Sequence, residues 1–268
     1  MSTRRAWITC GREAACGADN MMAIYILWLR QLKRYLRSTP RLIGSLGQPV
    51  LFLVALGFGF GPIYQKAGGG NYLQFLAPGI IGMGILFTAV FMGIEMIWDR
   101  QFGFLKETMV APVPRWRIMF GRTLGGATVA TMQGVAVLLI SFVAGFRPVA
   151  WWGILPAVGF MFLIALMFTA LGTAIASKMQ DMHGFQLIMN FLIMPIFFLS
   201  GALFPLENLP SAIGAITHFN PMSYGVDGLR WALINSSHFG PLQDFAVLAG
   251  ATALFVGIGS YLFSKVEV

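Results

Sequence analysis

FGFLKETMVAPVPRWRIMFGRTLGG, Phe102 to Gly126, decides how the rest of the chain is read. It carries Lys106, Glu107, Arg115, Arg117 and Arg122, and it lies between uncharged runs long enough to cross a bilayer. Pro112 and Pro114 are spaced to stop one helix before another starts. The stretch therefore reads as a short cytoplasmic helix, a sharp turn, and the basic foot of a membrane helix. A short helix held between two spans is a natural handle for another protein to push.

Composition supports a membrane setting. Hydrophobic residues make up 57% of the 268 and charged residues only 10%, against about 25% charged in an ordinary soluble domain. So much apolar surface cannot be buried in one soluble core of this size, so the solvent is lipid. The net charge of +8 is read as the positive-inside bias of a membrane protein and not as a nucleic-acid surface. Residues 1–20 read as a loose tail. Arg4, Arg5, Arg12, Glu13 and Asp19 interrupt the apolar core that a signal peptide needs. Cys10 and Cys16 in that tail have no nearby histidine cluster and make a weak metal signal. Met21 and Met22 stand directly before an apolar run and are candidate starts.

Residues 21–268 are expected to form one transmembrane domain. A helix over 24–37 has Trp28, Leu29, Leu32, Tyr35 and Leu36 on one face and Arg30, Lys33, Arg34 and Arg37 on the other. That segregation predicts a helix lying in the headgroup plane. Ser38-Thr39-Pro40 ends it. A spanning helix needs about 20 apolar residues. The uncharged windows give six spans: 43–63, 73–97, 120–145, 151–176, 186–204 and 245–263. A coupling helix over 102–111 separates the second and third spans. Gly68-Gly69-Gly70 supplies a turn before the second span, and Pro195 is expected to kink the fifth.

Charge fixes the orientation. With the N-terminus inside, the inner segments hold Arg4, Arg5, Arg12, Arg30, Lys33, Arg34, Arg37, Arg41, Arg100, Lys106, Arg115, Arg117, Arg122, Lys178 and Lys265. Only Lys66, Arg147 and Arg230 fall outside, so both termini are expected inside. Trp28, Trp98 and Trp116 then lie at the inner interface, and Trp151, Trp152 and Trp231 at the outer one. The outer stretch 208–234 is too long for a turn and too apolar for a solvated loop. Asn220-Pro221 splits it into two short helices, with Ser223 as a candidate N-cap. It reads as a re-entrant hairpin in which Asp227 and Arg230, three apart, form a pair.

The chain lacks a G-x-x-x-x-G-K-[ST] phosphate loop, an H-E-x-x-H metal motif and a G-x-S-x-G nucleophile elbow. His183, His218 and His238 are far apart, so no metal site and no catalytic residues are expected. The intramembrane polar candidates are Glu95, Thr128, Gln133 and Asn190. Glu95 is the sharpest, because a carboxylate in a span is a functional candidate; its plainer reading is a residue paired with Arg100. There is no chain of acids and histidines for proton-driven transport, so energy has to enter from elsewhere.

At this point the residues resemble a known family. LKETMVAPVPRWRIMFGRTLGG (Leu105–Gly126), FFLSGALFPLENLP (Phe197–Pro210) and FNPMSYGVDGLR (Phe219–Arg230) resemble three patterns of ABC-2 type export permeases, in the family's order. The resemblance runs from about Ile24 to Phe263, and is nearest to the drug-resistance and nodulation-factor exporters. It implies a half-transporter that dimerises with a second copy of itself in a bacterial-type inner membrane. Each copy would bind an ATPase subunit, which holds the ATP and magnesium, so this chain binds no cofactor of its own. By this resemblance 102–110 is the coupling helix, 24–37 the connecting helix and 208–234 the re-entrant pair. Phe102, Leu105 and Met109 share a helix face expected to seat against the ATPase, with Lys106 and Glu107 steering it. The expected substrate is an amphipathic drug, lipid or lipid-linked saccharide. The rivals are an ion-coupled carrier and an intramembrane lipid-modifying enzyme.

Overall fold

The computed structural model describes residues 21–66, 71–110, 113–204 and 211–265. Every regular element among them is helical. In chain order they are α1 (21–37), α2 (Thr39–Lys66), α3 (Tyr72–Gln101), α4 (Phe104–Val110), α5 (Arg115–Val143), α6 (Ile154–Lys178), α7 (Met182–Phe198), α8 (Ser211–Phe219), α9 (Pro221–Ile234) and α10 (Pro241–Ser264). A 3-10 turn, Trp151–Gly153, leads into α6. The tail with Cys10 and Cys16, the Gly68–Gly70 turn, the Pro112 stop and the start of the hairpin at 208–210 lie outside the described residues.

Five helices are long and apolar enough to cross a membrane: α2, α3, α5, α6 with its leading turn, and α10. α7, expected over 186–204, has 17 residues, about 26 Å at 1.5 Å per residue. Its start is set by Asp181, whose carboxylate accepts from His183 N at 3.2 Å and Gly184 N at 2.6 Å. Those two N–H groups hold the Asp181 carboxyl below the ordinary range. Its end is set by a tight turn through Gly201, at φ 71°.

α3 is the axis of the bundle. Its apolar window is 83% buried, whereas that of α2 is 11% buried. Ile80, Ile81, Ile85, Leu86 and Ala89 are all fully enclosed, as expected of a helix apolar on every side. Glycine permits the closest crossing: a Cβ on Gly93 would meet the Gly172 backbone, and one on Gly172 would meet that of Val90. In a membrane, such close approach of small residues replaces the hydrophobic drive between helices.

The helices share two ends. Contacts of Arg41, Glu95, Asp99, Arg100 and Arg122, with Lys178 in the last turn of α6, define a basic end. At the opposite end Tyr72 Oη donates to Leu203 O at 3.2 Å, and Asn220 Nδ2 to Ile196 O at 2.7 Å. Gly103, at φ 78°, breaks the chain between α3 and α4. α4 therefore starts at Phe104, later than the expected 102. The split at Asn220 occurs as read from the sequence, but Asn220 itself is the N-cap, accepting from Met222 N at 3.1 Å. Pro221 fills the first helical position, where no N–H is needed. Ser223 turns instead toward Leu199 O at 3.4 Å.

Candidate functional site

The basic end is assembled by the docking of α1. A Cβ on Gly121 would meet Ile24 and Leu27, and one on Gly125 would meet Gln31 at 2.7 Å. α1 therefore lies in a groove of α5 that only glycine leaves open. Trp28 Nε1 donates to Thr128 Oγ1 at 2.9 Å, so the polar candidate Thr128 fastens two helices. Tyr35 is buried against Met92 and Val129. Of the face predicted to lie on lipid, Tyr35 is buried and Leu36 exposed, while the most enclosed residues of α1 besides Tyr35 are Leu27 and Gln31, outside that face.

That docking aims two cations at α3. Glu95 and Asp99 are four apart, hence on one face of α3. Arg30 forms a fork with Asp99, at 3.0 Å to each oxygen. Arg34 reaches Asp99 at 3.5 Å and Glu95 at 3.9 Å. Arg41 of α2 pairs with Glu95, and Arg122 of α5 pairs with Asp99. Four guanidinium groups from three helices thus converge on two carboxylates of a fourth. Arg122 is only 4% exposed, so it depends on Asp99 for its counter-charge. Arg100, expected beside Glu95, points the other way. It donates to Ser177 O at 2.8 Å and Met179 O at 3.1 Å, satisfying carbonyls at the end of α6.

The same junction holds α4. The Arg30 guanidinium stacks 3.7 Å from the centroid of the Phe104 ring. Leu105 is fully buried and Met109 packs against the core. These two residues, expected to face a partner, are instead the root by which α4 is planted in its own chain. Phe102, at 82% exposure, and Val110, at 85%, point outward, as does Glu107. Phe102 also precedes the helix, so it does not share a face with Leu105. The Lys106 side chain lies outside what is described.

Above the junction a cleft of about 190 Å³ runs between α2, α3 and α5. Tyr35, Arg41, Ser45, Gln48, Thr88 and Gln133 line its polar part, and Met83, Phe87 and Phe91 its apolar part. Gln133 is enclosed: its Nε2 donates to Ser45 O at 2.6 Å and its Oε1 accepts from Thr88. Asn190 sits apart, exposed on α7.

At the opposite end Asp227 and Arg230 share α9 but form no salt bridge. Asp227 accepts from His238 N at 2.8 and 2.9 Å and from Phe239 N at 2.8 Å. Arg230 donates to Gly201 O at 2.6 Å and lies 3.9 Å over the Phe75 ring. Backbone groups of the adjoining turns thus satisfy each better than the three-residue spacing does.

Sequence reading missed Asp99, Arg30, Arg34, Arg41 and Arg122 as a set. The signal available was the four-residue spacing of Glu95 and Asp99 at the end of an uncharged run. Among the described residues no three His, Cys, Asp or Glu side chains converge on a metal position.

Long apolar passes around a buried ionic junction, with a short helix rooted in it, mark a multi-pass membrane protein. The profile of the ABC-2 type transporter family matches residues 22–234, and the chain belongs to that family as a non-catalytic permease subunit. It is 26% identical to Nodulation protein J of Rhizobium leguminosarum bv. trifolii over 252 residues, covering 92% of each chain. It is 25% identical to Nodulation protein J of Bradyrhizobium diazoefficiens, over 77% of this chain and 81% of that one. It is also 25% identical to the inner membrane transport permease YadH of Escherichia coli, over 85% and 89% respectively.

Proposed function

We propose that the chain is the membrane half of an ATP-driven exporter, working as a pair of copies with an ABC ATPase on the cytoplasmic side. The observation that carries this is the Arg30 junction. One side chain joins α4, through Phe104, to Asp99 of α3, and Asp99 is shared with α5. A push on α4 therefore reaches α1, α3 and α5 as a rigid unit. Phe102, Glu107 and Val110 are exposed among the described residues of this handle. They are the surface we assign to the ATPase, in place of Leu105 and Met109.

In this reading α7 is also a pass, the fifth of six in chain order, both termini are inside, and the membrane is a bacterial-type inner membrane. The hairpin α8–α9 dips into the outer leaflet. Asn190 on α7 is exposed at an apolar face. An amide stranded in hydrocarbon gains from a partner across a helix interface, which supports pairing with a second copy on this face. The cargo class is an amphipathic drug, lipid or lipid-linked saccharide. The cleft beside Arg41 and Gln133 suits such a molecule, with hydrogen-bonding groups near one end and aromatic rings deeper in.

The test is co-purification with an ABC ATPase subunit, followed by ATP hydrolysis in nanodiscs. Phe102→Asp with Glu107→Lys is expected to abolish the complex while leaving the chain folded. Arg30→Ala is expected to keep the complex but lower stimulated hydrolysis at least about tenfold, roughly 1.4 kcal/mol of coupling. A full-strength complex in the surface double variant would sink the handle assignment.

A further inference from the structure

The basic end carries more positive charge than its junction uses. Four guanidinium groups meet only two carboxylates there. Two further cations of α1, Lys33 and Arg37, are exposed and meet no acid among the described residues. Arg30, Lys33, Arg34 and Arg37 follow the i, i+3, i+4, i+7 spacing that puts side chains on one face of a helix. Like charges so placed repel one another unless an anion sits among them.

These four side chains line a groove of about 810 Å³ that reaches Ser38 and Pro40, where α1 gives way to α2. The volume falls within the range of about 300–1,000 Å³ usual for small-ligand sites. Its wall contains no acidic residue. Arg30 and Arg34 keep 28% and 31% of their side-chain surface open, although both also touch carboxylates of α3. A guanidinium has five N–H donors, and the fork to Asp99 takes only two of those on Arg30. α2 adds the positive end of a 28-residue helix with no acid in its first turn. The same wall includes the apolar Ile26 and Leu29. Ile26 is exposed, as are Leu36 at the end of α1 and Ile43 near the start of α2. The groove therefore offers cations to an anion and an apolar flank to hydrocarbon. A phospholipid satisfies both, whereas a free phosphate satisfies only the first.

We propose that this groove is a binding site for one anionic phospholipid of the adjoining leaflet. Its phosphodiester sits among Lys33, Arg34 and Arg37 at the elbow between α1 and α2, and its acyl chains run along the exposed apolar residues. Arg37 can fork to two phosphate oxygens, while Lys33 acts as a point charge. The phosphate supplies the negative charge that Glu95 and Asp99 do not, and so lets α1 hold four cations on one face. Arg34 reaches Asp99 and Arg30 stacks on Phe104, so the lipid is tied to the junction that roots α4. Occupancy tightens the elbow. The site rests on the reading that the basic end lies at a bilayer surface, and needs nothing from the cargo or the ATPase.

The test uses the full chain without an ATPase, in nanodiscs of phosphatidylcholine alone or of phosphatidylcholine and phosphatidylglycerol in equal parts. Both faces of a disc carry the same lipids, so a negative result strikes the site and leaves the transport reading standing. Native mass spectrometry of the released protein is expected to find one phosphatidylglycerol retained per chain. Lys33→Ala with Arg37→Ala should weaken that retention about thirtyfold, about fivefold for each charge removed near an anionic surface. Lys33→Gln with Arg37→Gln repeats the comparison should the alanine pair fold poorly. A matched control, Lys178→Ala with Lys265→Ala, removes the same charge from the same end but outside the groove, and should retain the lipid as wild type does. Phosphatidylglycerol is also expected to slow hydrogen exchange over 34–41 roughly tenfold, and soluble glycerophosphate added to pure phosphatidylcholine discs should not. The proposal is overturned if wild type retains no phosphatidylglycerol, or if the groove pair retains it as well as wild type. It is overturned equally if the control pair loses the lipid as the groove pair does, since the attraction then belongs to the whole surface, or if glycerophosphate alone gives the same protection.

Discussion

The two ends of the bundle solve the problem of buried charge in opposite ways. At the basic end, Glu95 and Asp99 are met by arginines from α1, α2 and α5. At the other end, Asp227 and Arg230 ignore each other and take backbone groups. The first arrangement joins helices that are distant in sequence, so it can carry a displacement from one to another. The second anchors a broken hairpin whose exposed N–H and C=O groups need partners in a dry environment. Ion pairing ties distant helices together, and backbone satisfaction holds the shape of the hairpin.

The contrast can be broken at its strongest point by Asp99→Asn. It leaves Arg122 buried beside a neutral amide and is expected to cost about 3–5 kcal/mol, read from thermal unfolding in detergent. The double variant Asp99→Leu with Arg122→Met should recover most of that loss, since well-packed apolar groups often replace a buried pair without penalty. The corresponding change at the far end, Asp227→Asn, keeps one carbonyl oxygen for the backbone donors. It should cost less, about 1–2 kcal/mol in the same assay. If Asp227→Asn proves the more damaging, the two ends do not differ as described.

Arg230→Lys sharpens the picture further. A lysine ammonium can still reach the carbonyls that Arg230 Nη2 meets but cannot stack flat on Phe75. A loss of about 1–2 kcal/mol is expected, with the lesion confined to the hairpin in hydrogen exchange. The smallest effect is expected from Trp28→Phe, which keeps the ring against α5 but deletes the bond to Thr128. That should cost about 1 kcal/mol and loosen α1 without disturbing α8 or α9.

Several of these features could be read along the chain. The charge-poor runs marked α2, α3, α5, α6 and α10, because length and hydropathy are local quantities. The Asn220-Pro221 split and the short helix after Gly103 were visible for the same reason. Partner choice was not. Glu95 stood out, yet Arg100, its near neighbour in sequence, turns to α6, while Arg41, more than fifty positions away, is the partner it meets. Leu105 looked like part of a docking face. Its spacing said only that it lies on one side of α4, and the packing of α3 decided that this side is the inside. The Asp227–Arg230 spacing likewise permitted a pair that better-placed backbone groups pre-empted.

The sequence by itself determined that this is a helical membrane protein, with a basic end, an apolar body and a short charged helix interrupting it. Those properties follow from the cost of charge in lipid, summed over windows of about 20 residues. Tertiary structure decided which arginine meets which carboxylate, and which face of α4 is left for a partner. Such pairings depend on helix rotation and on glycine-permitted approach between segments far apart in the chain, and no local pattern of residues encodes them.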